Sequence, residues 1–341
     1  MNTSINRILS RDSNFELARI VAMLLILSSH AFNPYFWNSL SNSINAQNIF
    51  VILGQSFTKC AVGLLILISG WFGITPKGKS VGNIVFQVIF YGLAIAMVGR
   101  GGWRAGKDIL LLSPALWFLK SYFLLYILSP VLNSFVASAS KKQFKQVLIA
   151  FFLFQSIWGW TNTALEFNYG LSVVFFIFMY LLARYLRSYP PTIINRSGMF
   201  HFLIYCLSSL LVAGILFIKH YYGIIPFLTE HMIISLINPL MVLCSVSLFL
   251  FFSKVHFKSK IINWIAGSCL SVYLIHENPL VSPLYHNKVW EVLLDGNFLL
   301  FFAIIIGVFS ICVIIDQLRL LIYHQIIERV FFPKKNVDGN S

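Results

Sequence analysis

Arg19 and His30 are separated by ten residues in an otherwise apolar stretch. On an α-helix, eleven steps of about 100° end about 20° past three full turns, so both side chains leave one face, about 16 Å apart along the axis. Glu16 lies about 40° from the same face and one turn below Arg19, within pairing reach. A guanidinium stays charged and can hold an anion, whereas a neutral imidazole can take a proton from a hydroxyl. The spacing therefore suits acid–base chemistry or a proton relay along one helix. It equally suits a buried ion pair beside a hydrogen-bonded core histidine.

The elements that must position these groups follow from composition. Of 341 residues, 58% are hydrophobic and 11% charged, with Phe occurring 33 times. A soluble fold could not cover that much apolar surface, and the apolar runs reach about 20 residues, enough to cross about 30 Å of hydrocarbon. Runs broken by charge, Pro or Asn/Ser clusters give ten expected spans: 15–37, 48–74, 82–99, 113–136, 145–160, 169–187, 200–219, 231–252, 261–284 and 297–324. The expected fold is thus all-α, a polytopic membrane bundle of about ten helices, with one transmembrane domain over 1–332 and a polar tail over 333–341. The first run is read as a retained helix and not a cleaved signal, because Glu16 and Arg19 interrupt its start and no small-residue cleavage site follows.

The net charge of +14 would suggest nucleic acid in a soluble protein, but here the cations occupy short gaps between apolar runs. No nucleic-acid partner is expected; the lipid bilayer is. Cys60, Cys206, Cys244, Cys269 and Cys312 all fall inside apolar runs without metal-ligand spacing, so neither a disulfide framework nor a metal site is expected. With the N-terminus inside, 17 of the 25 Lys and Arg, Arg319 among them, fall in inner segments and 5 in outer ones. That asymmetry predicts both termini to be cytoplasmic.

The same topology places His30, Lys59, Lys120, His276 and Glu277 in one layer of the outer half, with Ser69 and Gly70 near the inner end of the second span. Lys59 and Lys120 can also be read as lysines snorkelling to the interface, and His276 with Glu277 as a polar helix end.

Four stretches resemble the membrane-bound acyltransferase 3 family of bacterial O-acyltransferases. Residues 13–30 resemble its opening helix, with Arg and His ten apart, and residues 62–72 its Ser-Gly helix end at Ser69-Gly70. Residues 116–133 resemble its Trp-Phe and Leu-Ser-Pro segment, and residues 271–276 its Tyr-Leu-Ile-His segment. The order runs from residue 13 to about 325. One departure is Ala115, where relatives frequently carry a polar residue or histidine; this puts in doubt a role for that stretch in binding the acyl donor.

The resemblance implies an enzyme of the bacterial inner membrane. It would move an acyl group, usually acetyl, from cytoplasmic acetyl-coenzyme A or another acyl-coenzyme A to a hydroxyl of a cell-surface or lipid-linked glycan. No permanently bound cofactor is implied. Many relatives carry a fused extracytoplasmic domain; this chain is expected among the stand-alone members. His30 would act as base and Arg19 as anchor for an anionic part of the donor or as organiser of the helix face. Glu16, Lys59, Ser69, Lys120, His276 and Glu277 would support them or bind substrate. Direct transfer and an acyl-histidine relay both remain open, as do acetyl and succinyl, the acceptor and the oligomeric state. A glycan transporter or flippase is the rival reading, since the same ionisable groups could form a proton relay.

Overall fold

The computed structural model describes residues 12–99, 116–162 and 167–323. Among them the fold is all-α, without strands. In chain order the main helices are α1 (Ser13–Asn38), α2 (Ala46–Thr58), α3 (Ala61–Phe72), α4 (Gly78–Gly99), α5 (Trp117–Ser138), α6 (Lys141–Phe152) and α7 (Val173–Ser188). There follow α8 (Gly198–Tyr222), α9 (Pro239–Lys254), α10 (Lys260–Ala266), α11 (Cys269–His276), α12 (Ser282–Leu294) and α13 (Phe298–Ile322). Arg100, Arg104, Lys107, Ala115, the expected start of the fourth span and the polar tail lie outside the described residues.

Among the described residues, six segments are long and apolar enough to cross a membrane: α1, the α2–α3 pair, α4 as far as Met97, α5, α8 and α13. The remaining four expected spans are shorter or interrupted. The fifth becomes α6 followed by a π-helical turn, Leu153–Gly159, and the sixth is the 16-residue α7. The eighth begins only at Pro239, after a one-turn helix, Glu230–Ile233, and the ninth divides into α10 and α11. Lipid-facing character is plain on α13, where Leu299, Ile306, Ile314 and Leu318 are exposed while Asp316 and Arg319 are buried. An apolar side turned outward with charge turned inward is the polarity a bilayer requires.

The hub is α1, which packs against α2, α3, α9, α10, α11, α12 and α13. Small buried residues, Ala18, Ala22 and Ala31, let neighbours approach its backbone. Its beginning is fixed by Asn14 Nδ2 donating to the Phe252 carbonyl at 3.0 Å and by the Ser259 backbone N–H donating to Ser13 Oγ at 2.8 Å. Farther along, Tyr285 Oη on α12 donates to the Leu27 carbonyl at 3.0 Å, and Trp290 Nε1 donates to Ser39 Oγ at 2.8 Å. The helix that carries Arg19 and His30 is therefore pinned at both ends by other elements.

The second span does not run straight through. It breaks at Lys59 and Cys60, and two other helices satisfy carbonyls next to the break: Tyr205 Oη donates to Phe57 at 2.8 Å and Ser245 Oγ to Cys60 at 2.9 Å. Irregular backbone is tolerated at such depth when protein groups replace the lost bonds.

Candidate active site

His30 lies on α1 four residues before Pro34, which has no N–H to return to the His30 carbonyl, so the ring sits where the helix ladder is interrupted. His276 ends α11 and Glu277 caps it. Crossing of α11 and α1 brings them together: His30 Nδ1 lies 3.0 Å from His276 Nε2 and 2.8 Å from Glu277 Oε1. Glu277 Oε1 is also 3.7 Å from His276 Nε2 and 3.9 Å from His286 Nε2 on α12.

Donor and acceptor accounting assigns the protons of the neutral rings. His276 Nδ1 lies 2.7 Å from the Val272 carbonyl, which can only accept, so this nitrogen carries the hydrogen and Nε2 keeps its lone pair. His30 Nδ1 must then be the donor to His276 Nε2, with Glu277 Oε1 beside the same N–H. What is left is a lone pair on His30 Nε2. His276 is fully buried, whereas the His30 side chain retains 22% exposure, so the base keeps an accessible edge while its orienting partner does not.

His286 was not singled out by sequence, because its helix is amphipathic and short. It lies beyond the expected spans, and burial lowers its imidazole from the ordinary value, with Glu277 opposing that shift and His30 adding to it. His286 Nε2 is buried without a hydrogen-bond partner, 3.9 Å from Glu277 Oε1. His30 Nδ1, His276 Nε2 and Glu277 Oε1 lie within 4.8 Å of one another, so the trio has the composition of a small metal site. Topology sets these three residues in one layer, but their direct contact is made only in the fold.

Arg19 pairs with Glu16, Nη1 to Oε1 at 2.6 Å, and keeps 34% side-chain exposure. The Ser69 hydroxyl donates to the Leu65 carbonyl at 3.1 Å and lies 3.4 Å from Tyr122 Oη. Lys59 is partly buried at the α2–α3 break and donates from Nζ to Asn33 Oδ1 at 3.1 Å. Lys120 is exposed on α5, and among the described residues none of its contacts joins it to His30, His276 or Glu277. Lys59 thus touches α1 through Asn33, whereas no contact ties Lys120 to α1 among the described residues. Arg319, counted with the cytoplasmic loop cations, is instead 1% exposed inside the bundle, where Nε and Nη2 donate to Asp316 at 2.6 and 3.1 Å.

The four sequence stretches converge through aromatic contacts. His276 neighbours Tyr273 with ring centroids 6.1 Å apart, Tyr273 meets Phe118 at 5.5 Å, and Phe118 stacks on Tyr122 at 6.0 Å, which reaches Ser69. Together these rings form an apolar wall from His276 to Ser69. A family model described as an acyltransferase domain, acyltransferase 3, matches residues 12–317, nearly the whole described chain. Neither the curated proteins nor the solved structures contain a match to this chain.

Proposed function

Because this chain belongs to the acyltransferase 3 family, we propose that it is a membrane-bound O-acyltransferase of the bacterial inner membrane, with both termini cytoplasmic. It moves an acyl group, usually acetyl in the family, from cytoplasmic acyl-coenzyme A to a hydroxyl of a cell-surface or lipid-linked glycan. The observation that carries this reading is the ring of His30, held through Nδ1 by His276 and Glu277 so that Nε2 is left as a base.

The acceptor O–H gives its proton to His30 Nε2 while its oxygen attacks the thioester carbonyl carbon, whose π electrons move to oxygen. Collapse of that tetrahedral species reforms the carbonyl and expels the coenzyme A thiolate, which takes the proton back from Nε2. Between the two steps His30 is an imidazolium, and the Glu277 carboxylate, 2.8 Å from Nδ1, offsets its charge. Arg19, paired to Glu16 yet partly exposed, offers its remaining N–H groups to an anionic part of the donor. The aromatic wall keeps water from the thioester.

His30→Ala abolishes glycan acylation in cells while the protein remains inserted and abundant, read by mass analysis of the surface glycan beside immunoblotting of membranes. Normal acylation in that variant would remove His30 from the mechanism. Arg19→Ala also fails, and Arg19→Lys shows whether charge suffices or the planar fork is needed.

A further inference from the structure

Beyond His30, α1 continues with groups that acid–base chemistry does not use. Asn33 and Trp37 follow at three and seven residues, so they rise about 4.5 and 10.5 Å above His30 along roughly the same side of the helix. Asn33 Oδ1 accepts from Gln55 Nε2 at 2.9 Å and from Lys59 Nζ at 3.1 Å. Its partner being a neutral amide, the Lys59 ammonium forms no ion pair among the described residues. An ammonium at this depth is costly unless an anion or further acceptors meet its N–H groups. Gln55 Oε1, on a side chain with no exposed surface, is also without a hydrogen-bond partner.

One step farther out, Trp37 stacks on His231 with centroids 4.0 Å apart and planes 16° from parallel, and Tyr169 backs His231 at 5.5 Å. Trp37 nevertheless remains 41% exposed. This shelf is built and held. Tyr169 adopts a left-handed backbone, φ 54, while its carbonyl accepts from the Leu236 N–H at 3.0 Å and Ser235 Oγ at 2.9 Å. Trp160 Nε1 donates to the Met232 carbonyl next to His231 at 2.6 Å. A non-glycine residue kept at positive φ by such bonds marks a place where the fold specifies an unusual shape. Lys59 is bonded to Asn33, which stands on α1 between His30 and Trp37, so its ammonium lies beside the stretch that joins the base to the shelf.

We propose that Trp37, Asn33 and Lys59 form the acceptor subsite and that the acceptor is an anionic sugar. The sugar ring lies on the exposed face of Trp37, its carboxylate or phosphate meets the two remaining N–H groups of Lys59, and a neighbouring hydroxyl points down to His30. This rests on the acyltransferase reading and names the substrate class that reading leaves open. A neutral sugar would leave the lysine without an anion in direct contact with its remaining N–H groups. An aromatic platform with one cation beside it thus selects for charge as well as for ring shape.

The test uses the full-length protein in lipid nanodiscs and three oligosaccharide probes: a neutral one, the same chain with a glucuronate, and the same chain with a glycerol phosphate. Titration is expected to show the anionic probes bound about tenfold more tightly than the neutral one, the worth of one charge-assisted contact. Comparing the two anions tells carboxylate from phosphate. Lys59→Met removes the preference, Lys59→Arg keeps it, and Trp37→Ala weakens all three probes alike. Equal binding of charged and neutral probes, a preference that survives Lys59→Met, or no binding of any probe overturns the subsite. Transfer from labelled acetyl-coenzyme A is read separately in the same discs. Transfer without charge preference defeats the subsite alone, and charge preference without transfer defeats the acyltransferase reading alone.

Discussion

Two polar clusters are buried in this bundle, and they are finished to different degrees. Around Asp316 on α13, Oδ1 accepts from Tyr91 Oη at 2.6 Å, Ser271 Oγ at 2.5 Å and Arg319 Nε at 2.6 Å, and Oδ2 accepts from Arg319 Nη2 at 3.1 Å. Arg319 Nη1 reaches Asn83 at 3.4 Å, and Ser271 lies 3.2 Å from Gln87. Three helices, α4, α11 and α13, are tied by one charge-balanced knot with few donors or acceptors left over. Around His30, by contrast, the contacts leave a lone pair on His30 Nε2 and an unpartnered Nε2 on His286. A completed network holds structure, whereas an incomplete one keeps valences for a ligand or a proton. The two are mechanically joined, since α11 carries Ser271 near its beginning and His276 at its end. The Asp316 knot fixes the helix that aims the orienting histidine.

The largest expected effect separates the two clusters by kind of damage. His30→Ala should lower acyl transfer by about 10² to 10⁴, the usual share of a general base, with thermal stability in detergent unchanged. Asp316→Ala should do the reverse, costing about 3 to 5 kcal/mol of stability by leaving Arg319 buried and unpaired, while the protein that remains folded stays active. Thermal melting of the purified membrane protein beside specific activity per folded molecule reads both. Replacing Asp316 and Arg319 together by Leu and Met should restore much of the melting temperature, because the buried charge is then removed and not stranded. Full activity in His30→Ala, or an unchanged melt in Asp316→Ala, would erase the distinction.

The contrast also explains what the sequence made legible. The apolar runs, the all-α class and the first helix with Arg19 and His30 follow from composition and a 3.6-residue period, which act locally. The breaks at Lys59 and between α10 and α11 do not, because the bonds that permit them come from Tyr205 and Ser245 on distant helices. His276 and Glu277 follow from the topology of the ninth span, which sets them in the layer of His30, but their contact with His30 spans nearly 250 residues of chain and needed the fold. His286 and Asp316 carried signals that were passed over. One is a histidine ten residues after His276, and the other a carboxylate inside an apolar helix three residues before an arginine, a spacing that itself marks an ion pair.

A smaller effect probes the catalytic cluster from inside. Glu277→Gln preserves size and can still face His30 Nδ1, but it removes the charge that offsets the imidazolium. Single-turnover transfer should fall about tenfold to a hundredfold with little change in apparent acceptor affinity, since the charge matters most when His30 holds the extra proton. The same variant sharpens the metal question raised by the trio's composition. Proton transfer to Nε2 predicts that EDTA treatment leaves the wild-type rate unchanged. Loss of activity on chelation, restored by Zn²⁺, would reassign His30, His276 and Glu277 as metal ligands.

The smallest effect belongs to Lys120. Sequence topology puts it in one layer with His30 and Lys59, but it is exposed on α5, whereas Lys59 is partly buried and bonded to Asn33; the two lysines differ in partners and not in expected depth. An exposed lysine without a structural partner contributes within about 0.5 kcal/mol to stability, and solvent screens its charge. Lys120→Ala should therefore change melting and transfer by less than about twofold under conditions where Lys59→Met loses the preference for charged acceptors. A large loss in Lys120→Ala, measured as initial rate against acceptor concentration, would mean that the start of α5 closes over the site during turnover. In that case the two lysines would belong to one acceptor-binding surface after all.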